Sequence, residues 1–175
     1  TGKIRVALKS HHELEATMLK VGNKAPDFFL PSDSGSNIRL KDLRSKRVVL
    51  FFFPRANTPG WTREAHEFRD AKKELDQLKT IVIGMSGDEV KALVKFKDKH
   101  NLNFPLTSDI EHKTLTAYGV WKQKSFMGKK FMGIERTTCI IDTEGQVTHI
   151  FPKVKVNGHV TEVLEALNGW SNGRR

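Results

Sequence analysis

Residues 48–53 read VVLFFF, six apolar side chains in a row with no polar alternation. A strand with one solvated face alternates. One that does not must be covered on both faces, which places it at the centre of a sheet with layers packed above and below. The run is the longest apolar stretch in the chain and is far too short to span a bilayer. The next two segments narrow the choice further. Residues 54–60, PRANTPG, form a loop of turn formers, and residues 62–78 carry Ala65, Phe68, Ala71, Leu75 and Leu78 on one helical stripe. A buried strand, a loop and an amphipathic helix in that order open an α/β fold.

The remaining elements extend that frame. Residues 25–30 read as a short strand, 31–37 as a turn rich in Ser, Gly and Asp, and 38–43 as a lead into a basic turn at 44–47. Residues 80–85 form a second buried strand. Residues 88–100 form a helix with Val90, Leu93, Val94 and Phe96 as its apolar positions, and 111–118 a shorter one. Residues 136–142 and 146–151 make a hairpin about Glu144 and Gly145, and 157–167 close as a helix with Val160, Val163, Leu164 and Leu167 inward. There is no internal repeat. The order β, β, α, β, α, α, β-hairpin, α predicts a thioredoxin-like α/β fold, with a central mixed β-sheet flanked by helices on both faces. The chain of 175 residues fits one domain, placed at 21–170. Residues 1–20, polar and basic, read as a mobile leader, and 171–175 as a disordered tail.

Composition excludes several chemistries. A single cysteine, Cys139, rules out an internal disulfide, and the seven histidines show no metal-ligand spacing, so no metal and no cofactor are expected. His11 and His12 in the leader read as incidental. The net charge of +10 comes from 30 basic and 20 acidic residues scattered through the chain. With no aromatic residues evidently interleaved among them, they read as a solvated surface, and nucleic acid is not an expected partner. The leader lacks the apolar stretch of a secretory signal, so the expected location is cytoplasmic, with no membrane partner.

Chemistry concentrates in residues 53–70, FPRANTPGWTREAHEFRD. At a junction of strand and helix the first-turn N–H groups and the helix dipole favour negative charge, and a cysteine there is driven toward thiolate. This stretch resembles the active-site loop and helix of the peroxiredoxins, and within them the bacterioferritin comigratory protein, or Q-type, group. Pro54, Thr58, Pro59, Gly60, Thr62, Glu64, Ala65, Phe68, Arg69 and Asp70 stand in register. Trp61 occupies the position of the peroxidatic cysteine and His66 that of the resolving cysteine. The likeness extends over residues 21–167, through VGNKAPDFFLPSDSG, IGMSGDEVKALVKFKDKHNLNFPLTSD, GIERTTCIIDTEGQV and KVNGHVTEVLEAL. It implies an antioxidant oxidoreductase reducing hydrogen peroxide and organic hydroperoxides. An external thiol such as thioredoxin or glutaredoxin/glutathione would be the reductant. It also implies that the Thr58 hydroxyl and the Arg136 guanidinium flank the thiolate while Pro54 shapes the loop. A fixed cation near a thiolate lowers its pKa and stabilises charge on the leaving oxygen. With one domain consuming the chain, a monomer is expected.

Tryptophan cannot attack a peroxide, so the chain is expected to be a nucleophile-null variant. Because Pro54, Thr58 and Arg136 are all retained, the site reads as a working one with its nucleophile replaced. The alternatives are a natural pseudo-peroxiredoxin acting as a chaperone or redox-partner-binding protein, and a basic nucleic-acid-associated protein. Cys139 does not stand in: along a strand it faces away from Arg136 and Thr138 and reads as a buried, inert thiol. His66 is expected on an exposed or half-buried helix face. The indole of Trp61 is expected either to swing outward with the turn at 59–63 loosened, or to fill the pocket and stack on Arg136 as a cation–π pair.

Overall fold

The computed structural model describes residues 19–56 and 58–172. In chain order, β1 (Phe29–Pro31) and β2 (Asn37–Arg39) pair antiparallel, before a 3-10 turn at Leu40–Leu43 and then β3 (Arg47–Phe52). Then come α1 (Pro59–Asp70), α2 (Lys72–Gln77), β4 (Thr80–Ser86), α3 (Val90–His100), β5 (Leu106–Ser108) and α4 (Lys113–Ala117). The chain continues through β6 (Trp121–Phe126), β7 (Lys129–Ile134), β8 (Thr137–Ile141) and β9 (Val147–Phe151), and ends its described part in α5 (His159–Asn172).

Five strands form the central sheet in the order β5-β4-β3-β8-β9. β3 runs parallel to β4 and antiparallel to β8, so the sheet is mixed. Every residue of β3 is buried, and its side chains alternate between two cores. Val49, Phe51 and Phe53 join Phe68, Leu93, Phe96, Val163 and Leu167 on the face covered by α1, α3 and α5. Val48, Leu50 and Phe52 join Leu40, Leu115, Tyr118, Cys139 and Val147 on the other. The six-residue apolar run is therefore two three-residue faces, each with its own cover. The expected thioredoxin-like architecture is the observed one. At the start of β3, Arg47 is buried and its Nη1 donates to the Leu167 carbonyl at 2.9 Å, which ties the central strand to α5.

Several boundaries differ from expectation. The helix placed at 62–78 starts at Pro59, since proline is well suited to the first helical position, where it forfeits no hydrogen bond. It also breaks at Ala71 (φ −87°, ψ 6°), although the Ala71 N–H still donates to the Glu67 carbonyl at 3.1 Å. Neither Pro nor Gly marks that break, and Leu75 stays buried beyond it, so the apolar stripe hides it. β5 and the β6–β7 hairpin are additions to the expected order. The hairpin is exposed on both faces and lacks the alternation that betrays a half-buried strand. The last helix runs to Asn172, over the first two residues of the expected tail. Residues 1–18, with His11 and His12, and residues 173–175 lie outside the described residues, while Leu19 packs half-buried against the second core.

Candidate active site

The loop after β3 enters α1 through Thr58, which is extended (φ −102°, ψ 148°) in the N-cap position. Its hydroxyl makes no cap; it donates to the Arg55 carbonyl at 3.1 Å, while Thr62 Oγ1 donates to the Thr58 carbonyl at 2.8 Å. Pro54 is half-buried at the end of β3, and all peptide bonds among the described residues are trans.

Arg136, immediately before β8, reaches the first turn of α1. Its guanidinium lies where a side chain at Gly60 would be: a Cβ built there would sit 2.8 Å from Nη2 and 3.0 Å from Cζ. Glycine is what lets the cation approach the helix backbone so closely. Among the described residues the guanidinium has no hydrogen-bond partner, which leaves a helix N-terminus and an uncommitted cation together. Both favour an anion.

Trp61 meets neither expectation. It is fully buried, α1 is regular through it, and it makes no cation–π contact with Arg136. The indole turns down onto the sheet, parallel to Phe53 at 3.9 Å between ring centroids and 2° between planes. It also stacks on Phe51 at 4.6 Å and Phe96 at 5.9 Å. Its Cη2 reaches within 3.5 Å of a Cβ built on Gly84, so a glycine in β4 makes room for the ring. Position 61 shares the inward helix face with Ala65 and Phe68. Outward rotation would have exposed a large apolar surface, whereas the first core already holds aromatic rings to receive it. The indole Nε1 is left buried without a partner.

One turn further on the same face lies Glu64, also fully buried, with neither carboxylate oxygen hydrogen-bonded. Burial pushes its pKa up from 4.5 to about 8; the Arg136 charge pulls it back and Glu67 adds to the rise. His159, the first residue of α5, places Nε2 3.7 Å from Glu64 Oε1. The same nitrogen is 2.7 Å from Thr138 Oγ1 in β8, while Nδ1 is 3.8 Å from Glu162. Burial lowers the His159 pKa from 6.5 to about 4. Near neutrality the pair is thus a carboxylic acid beside a neutral imidazole, not an ion pair. The sequence places Gly60 and Glu64 in register and Thr138 on the face of Arg136, but assigns neither them nor His159 a part in this cluster. The available signal was an acid on the apolar stripe, at the spacing of Trp61, Glu64, Ala65 and Phe68.

His66 does not join this cluster. Five residues past Trp61 it lies well round the helix, half-buried, with Nε2 2.9 Å from Nδ1 of His100 at the end of α3. Burial, then the nearby His66, Lys99 and Arg69, lower the His100 pKa. Cys139 pairs with Leu50 across the sheet and faces the second core, fully buried, with its thiol pKa raised by burial. No group of three or more potential metal-binding side chains occurs among the described residues, and no helix there is long and apolar enough to cross a membrane.

Comparison with known proteins matches residues 21–150 to the AhpC/TSA family. A putative peroxiredoxin bcp of Coxiella burnetii is 48% identical over 149 residues, 85% of this chain and 99% of that protein. The peroxiredoxin Bcp of Bacillus subtilis is 45% identical over 153 residues, 87% and 98% of the two chains. Among solved structures, the Xanthomonas campestris bacterioferritin comigratory protein, studied for alkyl peroxide reduction, superposes with a TM-score of 0.78 at 36% identity over 81% of this chain and 90% of its own. The Xylella fastidiosa PrxQ gives 0.83 at 30% identity over 87% and 98%. With the family model matching residues 21–150 and the fold in agreement, the chain belongs to the AhpC/TSA family of thiol-dependent peroxidases, with the Bcp and PrxQ-type peroxiredoxins as its homologues.

Proposed function

We propose that this chain is a peroxiredoxin scaffold whose peroxidatic position is held by Trp61, and that it does not itself turn over peroxide. One observation carries the reading: the single thiol of the sequence, Cys139, is fully buried on the opposite side of the sheet with its pKa raised, and so supplies no thiolate. What remains at α1 is the apparatus that would serve a nucleophile, a helix N-terminus and the Arg136 guanidinium. Arg136 is the residue that would stabilise a thiolate and the charge on a leaving oxygen. Thr58 takes part only if its hydroxyl gives up the Arg55 carbonyl. The substrates of the parent activity are hydrogen peroxide and organic hydroperoxides, with an external thiol such as thioredoxin or glutaredoxin/glutathione as reductant. His66 supplies no resolving thiol, and the protein works as a monomer in the cytoplasm.

Thiol-dependent consumption of hydrogen peroxide by the chain should match that of Cys139→Ser. A saturable rate that disappears in Cys139→Ser overturns the proposal. Trp61→Cys should create a thiol that alkylates far faster than Cys139. In that background Arg136→Ala should lower peroxide reactivity by about 10²–10³, the usual loss for a positioned donor.

A second reading draws support from how well the indole is received. Stacked on Phe53 and passing over Gly84, Trp61 fits as a core residue. That favours a natural pseudo-peroxiredoxin acting as a chaperone or redox-partner-binding protein. Suppression of aggregation of a heat-denatured client, or capture by reduced thioredoxin without turnover, would support it.

A further inference from the structure

Four of the seven large apolar side chains exposed among the described residues fall within seven consecutive positions: Phe126, Met127, Phe131 and Met132. Phe126 is 68% exposed and Met127 87%. They belong to β6 and β7, which pair only with each other and form a sheet separate from the central one. The base of this ribbon is fixed. Val120 and Ile134 are buried, and Trp121 stacks on His112 at 3.9 Å between ring centroids. Beyond the base both faces are open to solvent. A two-residue turn, Met127 (φ 50°) and Gly128 (φ 79°), closes the tip.

The ribbon carries four lysines and no acid between residues 121 and 134. Lys122 is paired with Glu135 at 2.9 Å, and Lys124 donates to the Ile134 carbonyl at 2.6 Å. Lys129 and Lys130, nearest the turn, have no partner among the described residues. The register sets Phe126 beside Lys129, Ser125 beside Lys130 and Lys124 beside Phe131. Each face thus mixes apolar groups with lysine, and the turn adds Met127.

We infer that the β6–β7 hairpin docks this protein on the surface of an anionic phospholipid bilayer. Phe126 and Phe131 share one face with Lys124 and Lys129, while Met132 lies on the other with Gln123, Ser125 and Lys130, so a flat or grooved partner seated on the first face would leave Met132 wet and Lys130 turned away. A fluid interface that closes round the tip covers both faces and the turn together. Interfacial segments sink about 5–10 Å, which is about two to three residues per strand at roughly 3.4 Å each. That depth takes in Met127, Phe126 and Phe131. Lys129 and Lys130 then reach the headgroup phosphates along their own flexible stems. The +10 charge of the whole chain adds attraction to the same surface. Peripheral docking needs no spanning helix; it departs from the sequence expectation of no membrane partner because the hairpin leaves no periodic trace in the sequence. It also stands independently of the peroxidase reading.

The test is co-sedimentation of the full chain with vesicles of phosphatidylcholine alone and of equal parts phosphatidylcholine and phosphatidylglycerol. Binding is expected on the anionic vesicles only and should fade at high salt. Lys129→Gln with Lys130→Gln should weaken it about thirtyfold, and Phe126→Ser with Met127→Ser at least about tenfold. Both pairs are exposed at the tip, so circular dichroism should be unchanged. Absence of binding to the anionic vesicles, equal binding to neutral ones, or indifference to both variant pairs overturns the proposal. So does concentration-dependent dimerisation abolished by Phe126→Ser, which would make a second copy the occupant. Oligothymidine binding lost in the lysine variant, without vesicle binding, would likewise overturn it in favour of nucleic acid.

Discussion

Replacing Trp61 by alanine removes the largest fully buried side chain of the first core. A fully buried indole withdraws roughly 150–250 Å² from water, and truncating such a residue to alanine typically costs about 3–5 kcal/mol. Two features of this site adjust that figure. The parallel stack on Phe53 at 3.9 Å is lost with the ring, which holds the cost high. The orphaned indole N–H disappears as well, returning about 1 kcal/mol of unmet hydrogen bonding. The expected net loss is therefore about 2–4 kcal/mol, or a midpoint lower by roughly 4–16 °C in a domain of this size. Trp61→Phe separates the two contributions. It keeps a ring against Phe53 and drops the N–H, so its cost should stay under about 1.5 kcal/mol. Urea unfolding monitored by far-UV circular dichroism measures both, provided the m-value is unchanged. A loss below about 0.5 kcal/mol for Trp61→Ala is what surface positions show, and it would refute the buried placement. Equal losses for the two variants would refute the stack as the source of stability.

Three further outcomes rest on the buried polar groups. Glu64 is protonated in the fold up to about pH 8 but ionises at 4.5 when unfolded, so it makes stability fall as pH rises from 4.5 to 8. His159 acts in the opposite sense: its folded pKa of about 4 lies below 6.5, so stability is lost as pH falls from 6.5 to 4. The two contributions nearly cancel between pH 4.5 and 6.5, and denaturant midpoints should decline from 6.5 to 8, where only the Glu64 contribution is still changing. Glu64→Gln should remove that alkaline decline. Arg136→Gln should move it to higher pH, because the guanidinium holds the Glu64 pKa down. Cys139 should resist a thiol reagent in the native protein and react only as denaturant unfolds the chain; rapid native labelling would contradict its burial.

Some of this was legible in the residues themselves. VVLFFF dictated a strand covered on both sides, because six apolar side chains in a row leave no face for water. Strand alternation separated Cys139 from Thr138, and the β3–β8 register sets them opposite Leu50 and Phe51, on different faces of the sheet. The β6–β7 hairpin escaped notice for the complementary reason: with both faces exposed it has no periodic signature, and a Met-Gly turn lacks the usual Asn or Asp.

The sequence by itself determined the thioredoxin-like architecture, the family and the absence of a thiol at position 61, since each depends on residue type and local spacing. Only the tertiary structure decided where the Trp61 ring goes, because that rests on rings brought by β3 and α3 and on the space above Gly84 in β4. It likewise decided that Glu64 meets His159 and that Arg136 settles on Gly60, residues 95 and 76 positions apart in the chain. Helical and strand periodicity report which face a side chain shares with its near neighbours. The distant groups that fold against that face set its charge state and its partners, and no local pattern contains them.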